Sequence, residues 1–99
     1  MVKKPDIIEQ IIEENKNEQP KLYKLILLND DFTTVDFVVK VLIMFLNKTS
    51  TQAHSLMLKV HNEGSAVCGL YPIDVAKTIQ RKIHNFSSIN HQPLKCIFK

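Results

Sequence analysis

The hydrophobic residues of this chain follow two patterns, one typical of a buried strand and one typical of an amphipathic helix. Tyr23 to Leu28 is a short run rich in aliphatic residues, bounded by Pro20 and by the turn-forming residues Asn29 to Asp31. This run predicts a buried strand that ends in a turn. Val35 to Leu46 follows and predicts a helix with one side turned to the core. The inward positions, at i, i+3, i+4 and i+7, are Val38, Val41, Leu42 and Phe45.

Two capping patterns predict where helices begin. Thr33 and Asp36 have the spacing of a capping box, in which the threonine accepts a backbone hydrogen bond and the acid reaches back. Thr49 and Gln52 repeat that spacing and predict the start of a second helix. Gly64 is a natural end for this second helix, because glycine readily adopts the left-handed conformation that closes helices.

The last third of the chain predicts a strand, a helix and a closing strand. Ser65 to Leu70 is short and apolar, and Pro72 suits the first turn of a helix from Ile73 to about Phe86. Residues 85–93 are polar and predict a loop, and Leu94 to Phe98 predicts the final strand. The resulting order is β-α-α-β-α-β. It predicts an α+β fold, a small antiparallel sheet with three helices packed on one face.

A length of 99 residues and a mass of 11.4 kDa fit one domain. We expect that domain at residues 21–99, with residues 1–20 as a flexible extension, because the first 20 residues are charged and end in Pro20. Four isoleucines in this extension recur at helical spacing, which allows a transient amphipathic helix. They are Ile7, Ile8, Ile11 and Ile12.

Membrane insertion and export are not expected. The longest apolar stretch, Phe37 to Leu46, is interrupted by Lys40, whereas a membrane span needs about 20 apolar residues. The polar N-terminus lacks the apolar region of a signal peptide, so we expect a cytoplasmic location. Cys68 and Cys96 lie far apart among apolar residues and are expected to be two buried thiols, a disulfide or a metal site being the minority alternative.

The net charge of +3 is a sum of unlike parts. Residues 1–20 carry five acids against three bases, and residues 21–99 carry ten bases against five acids. Three of those five acids, Asp30, Asp31 and Asp36, fall within seven residues, so a basic body holds one acidic spot. The ten bases are nine lysines and one arginine without interleaved aromatic residues, which favours a solvated surface over a nucleic-acid site.

An enzyme is not expected from these residues. Two glycines cannot make a phosphate-binding loop, and no local signature of a nucleophile with its base is present. His54 and His61 lie about 10 Å apart along a helix, which is too far to grip one metal ion. We therefore expect no catalytic residue, no metal and no cofactor.

The acidic spot offers a different chemistry. Asn29, Asp30 and Asp31 place oxygen acceptors directly after a buried strand. They can form a plain turn, since both residue types favour turns. They can also bind a cation, and an ammonium group with three N–H donors needs only about three acceptors.

At these positions the chain resembles the ClpS family of adaptors for AAA+ proteases. Residues 23–33 are similar to its first strand and its Asn-Asp-Asp-aromatic-Thr motif, and residues 56–61 are similar to its Leu-Met-Leu-x-Val-His motif. Residues 64–69 and 93–96 resemble two further family segments, in order and with matching spacing. The resemblance covers about residues 21–98.

The resemblance implies a monomeric adaptor and not an enzyme. Such an adaptor binds proteins that begin with Leu, Phe, Tyr or Trp and delivers them to a ClpA- or ClpC-type unfoldase for degradation by ClpP. The alternative is a small basic domain associated with ribosomes or nucleic acid, motivated by the basic body.

The resemblance also implies roles for individual residues. Asn29, Asp30 and His61 match the positions that hold the free α-amino group. Asp74 matches an acidic position that contacts the unfoldase. Val35 stands where the family often has Met, so the pocket is expected to be wider or its preference shifted. The positions implied to form the hydrophobic pocket and its rim are Asp31, Thr33, Val35, Val38, Met57, Val60 and Leu94.

Overall fold

Three strands and three helices make up the part of the chain that the structure, a computed structural model, describes, which is residues 20–99. The elements are β1 (Leu22–Leu28), α1 (Val35–Leu46), α2 (Ser50–Glu63), β2 (Ser65–Pro72), α3 (Ile73–Ile89) and β3 (Lys95–Phe98). The sheet is antiparallel in the order β2-β1-β3. The predicted fold class and element order are therefore confirmed. The predicted extension, residues 1–20, lies outside the described residues except for Pro20.

The register of the sheet decides which side chains reach the core. Leu27 pairs with Ala66 of β2 and with Cys96 of β3, and Leu25 lies two residues before it on the same side. All four side chains are buried in the core that the helices cover. A bulge opposite the bond between Leu25 and Ile26 shifts the β2 pairing by one residue. The chain leaves β1 at Asn29 and enters α1 after a short loop.

Helix α1 begins at Val35, as the sequence predicts, but the predicted capping box between Thr33 and Asp36 is wrong. Thr34 is the N-cap, and its hydroxyl oxygen accepts from the Phe37 backbone N–H at 3.2 Å. Thr33 instead donates its hydroxyl hydrogen to Asp30. Because Asp30 accepts from the hydroxyl of Thr33, the adjacent Thr34 caps the helix instead.

Helix α2 begins and ends as the sequence predicts. Thr49 and Gln52 form the reciprocal capping box, with bonds of 3.1 Å and 3.0 Å. Gly64 closes the helix at a φ of 88°, a left-handed conformation that favours glycine. This closure places the last helical turn, which contains His61, beside the end of β1.

Helix α3 runs through Ile89, so the prediction of a loop from residue 85 is wrong for residues 85–89. Tertiary packing overrides the polar local sequence. The Phe86 ring stacks on Phe37 with centroids 5.3 Å apart and meets Phe45 edge-on at 5.4 Å. Ser87 is buried in the next position. The contacts of Phe86 therefore hold the end of α3 against α1.

Side chains of α3 cover the free edge of β3. The Cys96 backbone N–H donates to His84 Nε2 at 3.1 Å, and Gln80 Nε2 donates to the Cys96 carbonyl oxygen at 2.9 Å. Burial and the nearby Lys95 charge lower the pKa of His84, which suits a ring nitrogen that must stay neutral to accept. Such bonds protect a strand edge that would otherwise be open to pairing.

The two cysteines are buried free thiols, as the sequence predicts. Burial raises the pKa of Cys96 to about 12, so this thiol is un-ionised at neutral pH. None of the described helices combines the length and apolarity needed to cross a membrane.

Candidate functional site

A cavity of about 210 Å³ opens where the end of β1 meets α1 and α2. It is lined by one stretch of loop, the first turn of α1 and the last two turns of α2. Polar atoms lie on the loop and at the end of α2, and apolar side chains come from the two helices. The lining residues are Asn29, Asp30, Asp31, Thr33, Val35, Val38, Met57, Val60 and His61.

Asp30 organises the loop that forms one wall of this cavity. Its Oδ1 accepts from the backbone N–H groups of Phe32 at 2.8 Å and Thr33 at 2.6 Å. Its Oδ2 accepts from the Thr33 hydroxyl at 2.6 Å. The side chain therefore fixes the turn through three donors, as turn-forming aspartates commonly do. Residues 29–31 therefore form a turn, and the same residues line the cavity.

These hydrogen bonds also keep Asp30 charged. Burial alone raises the pKa of Asp30, but the bonds from Thr33 and Phe32 outweigh burial and leave the pKa below its ordinary value. A carboxylate offers about four acceptor sites, of which the loop takes three. Asp30 lines the cavity, so its negative charge lies at the cavity wall.

Asn29 and His61 are brought together by a backbone bond at the end of α2. The Asn29 backbone N–H donates to the Gly64 carbonyl oxygen at 2.9 Å, which ties the loop to the residue that closes the helix. His61 lies in the last turn of that helix and is exposed. Two side chains 32 positions apart in sequence thus line one cavity.

The apolar wall is built from residues of α1 and α2. Val38 and Val60 are buried, Met57 is half-buried, and Val35 is 47% exposed at the start of α1. The exposure of Val35 places it at the mouth of the cavity rather than at its floor. A short, branched side chain there leaves the mouth open.

Leu94, which the resemblance implies to be a pocket residue, is not among the residues that line this cavity. It is 1% exposed and belongs to the hydrophobic core. It directly precedes β3, where the chain enters the sheet among Cys96 and the other core residues. Asp74 also lies outside the cavity, exposed in the first turn of α3.

The sequence does not single out Gln92, and it gives Phe32 only as the aromatic position of the family motif. Gln92 Oε1 accepts from the Thr34 backbone N–H at 3.2 Å and so ties the start of α1 to the segment after α3. Phe32 is 81% exposed in the loop beside the cavity. A lone aromatic residue within a polar turn is a signal that could have identified Phe32, whereas nothing local marks Gln92.

The arrangement suits a small cation attached to an apolar group. Asn29, Asp30 and His61 offer oxygen or nitrogen acceptors, and no lysine or arginine lies among the lining residues. An ammonium that leaves water needs such acceptors to replace its lost hydrogen bonds. Among the described residues, no group of three or more potential ligands could hold a metal ion.

Comparison with known proteins gives consistent matches over nearly the whole chain. Residues 18–97 match the family model described as ATP-dependent Clp protease adaptor protein ClpS. The adapter protein ClpS of Nitrosomonas eutropha is 46% identical over 93 residues, which are 92% of this chain and 90% of that protein. The adapter protein ClpS of Wolinella succinogenes is 43% identical over 99 residues, covering 100% of this chain and 97% of that protein.

A solved structure matches the fold as well. The structure of Agrobacterium tumefaciens ClpS2 bound to L-phenylalaninamide superposes with a TM-score of 0.78 at 32% identity. The match covers 82% of this chain and 98% of that one. The ligand of that protein is an amino-acid amide with a free α-amino group and an aromatic side chain.

Proposed function

This chain belongs to the ClpS family of Clp protease adaptors, and we propose that its cavity binds the first residue of proteins that begin with Leu, Phe, Tyr or Trp. The family is one of adaptors and not of enzymes, and its partner is a Clp protease. Family membership decides against the alternative of a domain associated with ribosomes or nucleic acid.

One observation carries the proposal: the acceptors and the apolar wall share a single cavity. Asn29, Asp30 and His61 would accept from the α-ammonium group, while Val38, Met57 and Val60 would pack against the side chain. Asp31, Thr33 and Val35 would form the rim. The bound phenylalaninamide of the Agrobacterium protein combines the same two chemical features in one ligand.

The size of the cavity favours one side chain as its occupant. Its volume of about 210 Å³ is smaller than the clefts of about 300–1,000 Å³ that hold drug-sized ligands. Burying a Leu or Phe side chain contributes roughly 1.5–3 kcal/mol, whereas a polar side chain would lose its hydrogen bonds to water. The apolar wall therefore selects a hydrophobic first residue.

The acceptor group supplies the second half of the selection. An internal Leu or Phe presents a neutral amide with one donor, and a free N-terminus presents a charged group with three. Charge-assisted bonds are stronger than neutral ones. The site thus requires a free N-terminus and a hydrophobic side chain together, which restricts binding to chain starts.

The second part of the proposed function is delivery of the bound protein. We propose that a monomer of this adaptor, acting in the cytoplasm, hands its bound protein to a ClpA- or ClpC-type unfoldase for degradation by ClpP. Asp74 is the candidate contact, because it is exposed on α3 and lies outside the cavity. A partner could then engage Asp74 while the cavity is occupied.

A peptide array that varies only the first residue tests the proposed function. We expect the full chain to bind spots that begin with Leu, Phe, Tyr or Trp and to ignore spots that begin with Asp, Lys, Ser or Gly. An array of the same peptides with one extra N-terminal Gly is the matched control. Equal binding to both arrays would refute recognition of the first residue.

A further inference from the structure

The face of the sheet turned away from the helices carries an apolar strip across all three strands. Ile26 of β1 pairs with Val67 of β2 and with Ile97 of β3, so these three side chains stand side by side. Val67 is 45% exposed and Ile97 is 37% exposed, whereas Ile26, which lies between them, is buried. We call this side of the sheet the open face; its other apolar members are Leu22, Leu28, Leu70 and Pro72.

Lysines border the open face. Lys24 pairs with Leu70 and also exchanges backbone hydrogen bonds of 2.9 Å and 3.1 Å with Lys99. Lys95 pairs with Leu28 at the opposite end. Neither Asp nor Glu occurs in the three strands. A contiguous apolar patch ringed by charge of one sign is typical of an interaction site.

The chain itself contains a segment with the complementary chemistry. Residues 1–19 carry five acids against three bases, and four of the acids lie among residues 9–18 while the fifth, Asp6, directly precedes Ile7. The isoleucines recur at a spacing that would bring them to one side of a helix. The segment therefore offers an apolar set and a negative charge where the open face offers an apolar strip and a positive charge.

The connection is long enough for the segment to fold back on the sheet. Residues 13–21 separate the last of these isoleucines from Leu22, the first residue of β1. Nine extended residues span up to about 30 Å. Strand β1 has 7 residues and is therefore about 23 Å long. The isoleucines can thus reach every position along the strip.

From this complementarity we propose that residues 1–19 bind the open face of their own sheet. The isoleucines contact the strip formed by Val67, Ile26 and Ile97, and the carboxylates lie beside the bordering lysines. The bound segment covers the apolar strip of the open face. This proposal is independent of the cavity and of the proposed function.

Lysine acetylation of the full chain, read by mass spectrometry, tests the proposal. We expect Lys24, Lys95 and Lys99 to react at least about threefold more slowly than in the double variant Ile8→Ser, Ile11→Ser, which corresponds to a segment bound about two-thirds of the time. Lys59 and Lys82, exposed on the helices, are internal controls and should react alike in both proteins.

A second variant changes the open face instead of residues 1–19. Val67→Thr keeps a β-branched residue in the strand and should release the three lysines in the same way. Ile89→Thr, at an exposed position at the end of α3, should not. Equal lysine rates in all four proteins would overturn the proposal. Protection that grows with protein concentration would also overturn it, because it would assign the open face to a second copy of the chain.

Discussion

Asp30 and Thr33 are joined by two hydrogen bonds of 2.6 Å, one from the Thr33 backbone N–H and one from its hydroxyl. The same carboxylate lines the cavity. The group proposed to attract the ammonium is therefore held in place by the residue at the rim. Preorganisation of this kind lowers the cost of binding, because the acceptor is already fixed before the ligand arrives.

Replacing Thr33 with Val should raise the pKa of Asp30 toward its ordinary value. The variant removes the hydroxyl donor and keeps the shape, and that donor is one cause of the lowered pKa. An NMR titration of the Asp30 carboxyl carbon measures the change. Thr51→Val, at an exposed position on α2, is the control and should leave the pKa of Asp30 unaltered.

The same variant has a stability consequence with a definite sign. At neutral pH we expect Thr33→Val to lower the free energy of unfolding by about 1 kcal/mol, which is below the usual range for a bond to a charged group because the loop is partly exposed. A carboxyl with a lowered pKa stabilises the fold above its unfolded-state pKa and loses this effect as the pH falls through its folded-state pKa. The difference between the two proteins should therefore shrink in acid, as urea unfolding would show.

His61→Ala should weaken binding of a Phe-initiated peptide at least tenfold, about 1.4 kcal/mol. The side chain is exposed in the last turn of α2, so its loss should spare the fold. His54→Ala removes an exposed histidine from the same helix outside the cavity and should bind like the natural chain. Fluorescence anisotropy measures the peptide affinity of both variants. Equal affinities for His61→Ala and the natural chain would show that His61 does not contribute to binding.

Val35→Met should narrow the mouth of the cavity and shift preference from Trp toward Leu. Val35 is exposed there, so a longer side chain can extend over the opening without disturbing the core. Ile43→Met changes another exposed position of α1 away from the cavity and serves as the control. The measurement is the ratio of affinities for Trp- and Leu-initiated peptides. An unchanged ratio in Val35→Met would show that residue 35 does not limit the opening.

Acid should destabilise the edge of the sheet through His84. Its folded-state pKa is lowered, so the unfolded chain binds more protons as the pH falls below the ordinary histidine value of about 6.5. The free energy of unfolding should therefore decrease over that window, and His84→Gln should flatten the decrease. His54→Gln is the control. A decrease of the same size in all three proteins would exclude His84 as its source.

The sequence predicted much of this fold because its local signals agree with its tertiary packing. Helix α1 has the predicted bounds because residues that its apolar spacing predicts to face the core are buried. They include Val38, Val41 and Leu42. The predictions failed where distant contacts decide. The aromatic contacts of Phe86 extend α3, and the pairing of Leu22 with Pro72 lengthens β2 beyond Leu70.

In the candidate site, too, local motifs predict some residues correctly, whereas the position of others depends on distant contacts. The residues in the short motifs around Asn29 and His61 line one cavity, since each motif lies at the end of an element whose bounds were predicted. Leu94 lies in the core instead, because whether an apolar residue before a strand faces a cavity or the interior depends on how β3 meets α3. No periodicity carries that information.

One peptide in two chemical states tests whether the cavity binds a free N-terminus. A fluorescent peptide that begins with Phe is titrated with the full chain by anisotropy, first with a free N-terminus and then after N-acetylation. Acetylation leaves the side chain intact and removes the charge and two of the three donors. We expect saturable binding of the free peptide and none of the acetylated one. Equal affinity for the two peptides would contradict recognition of the free N-terminus.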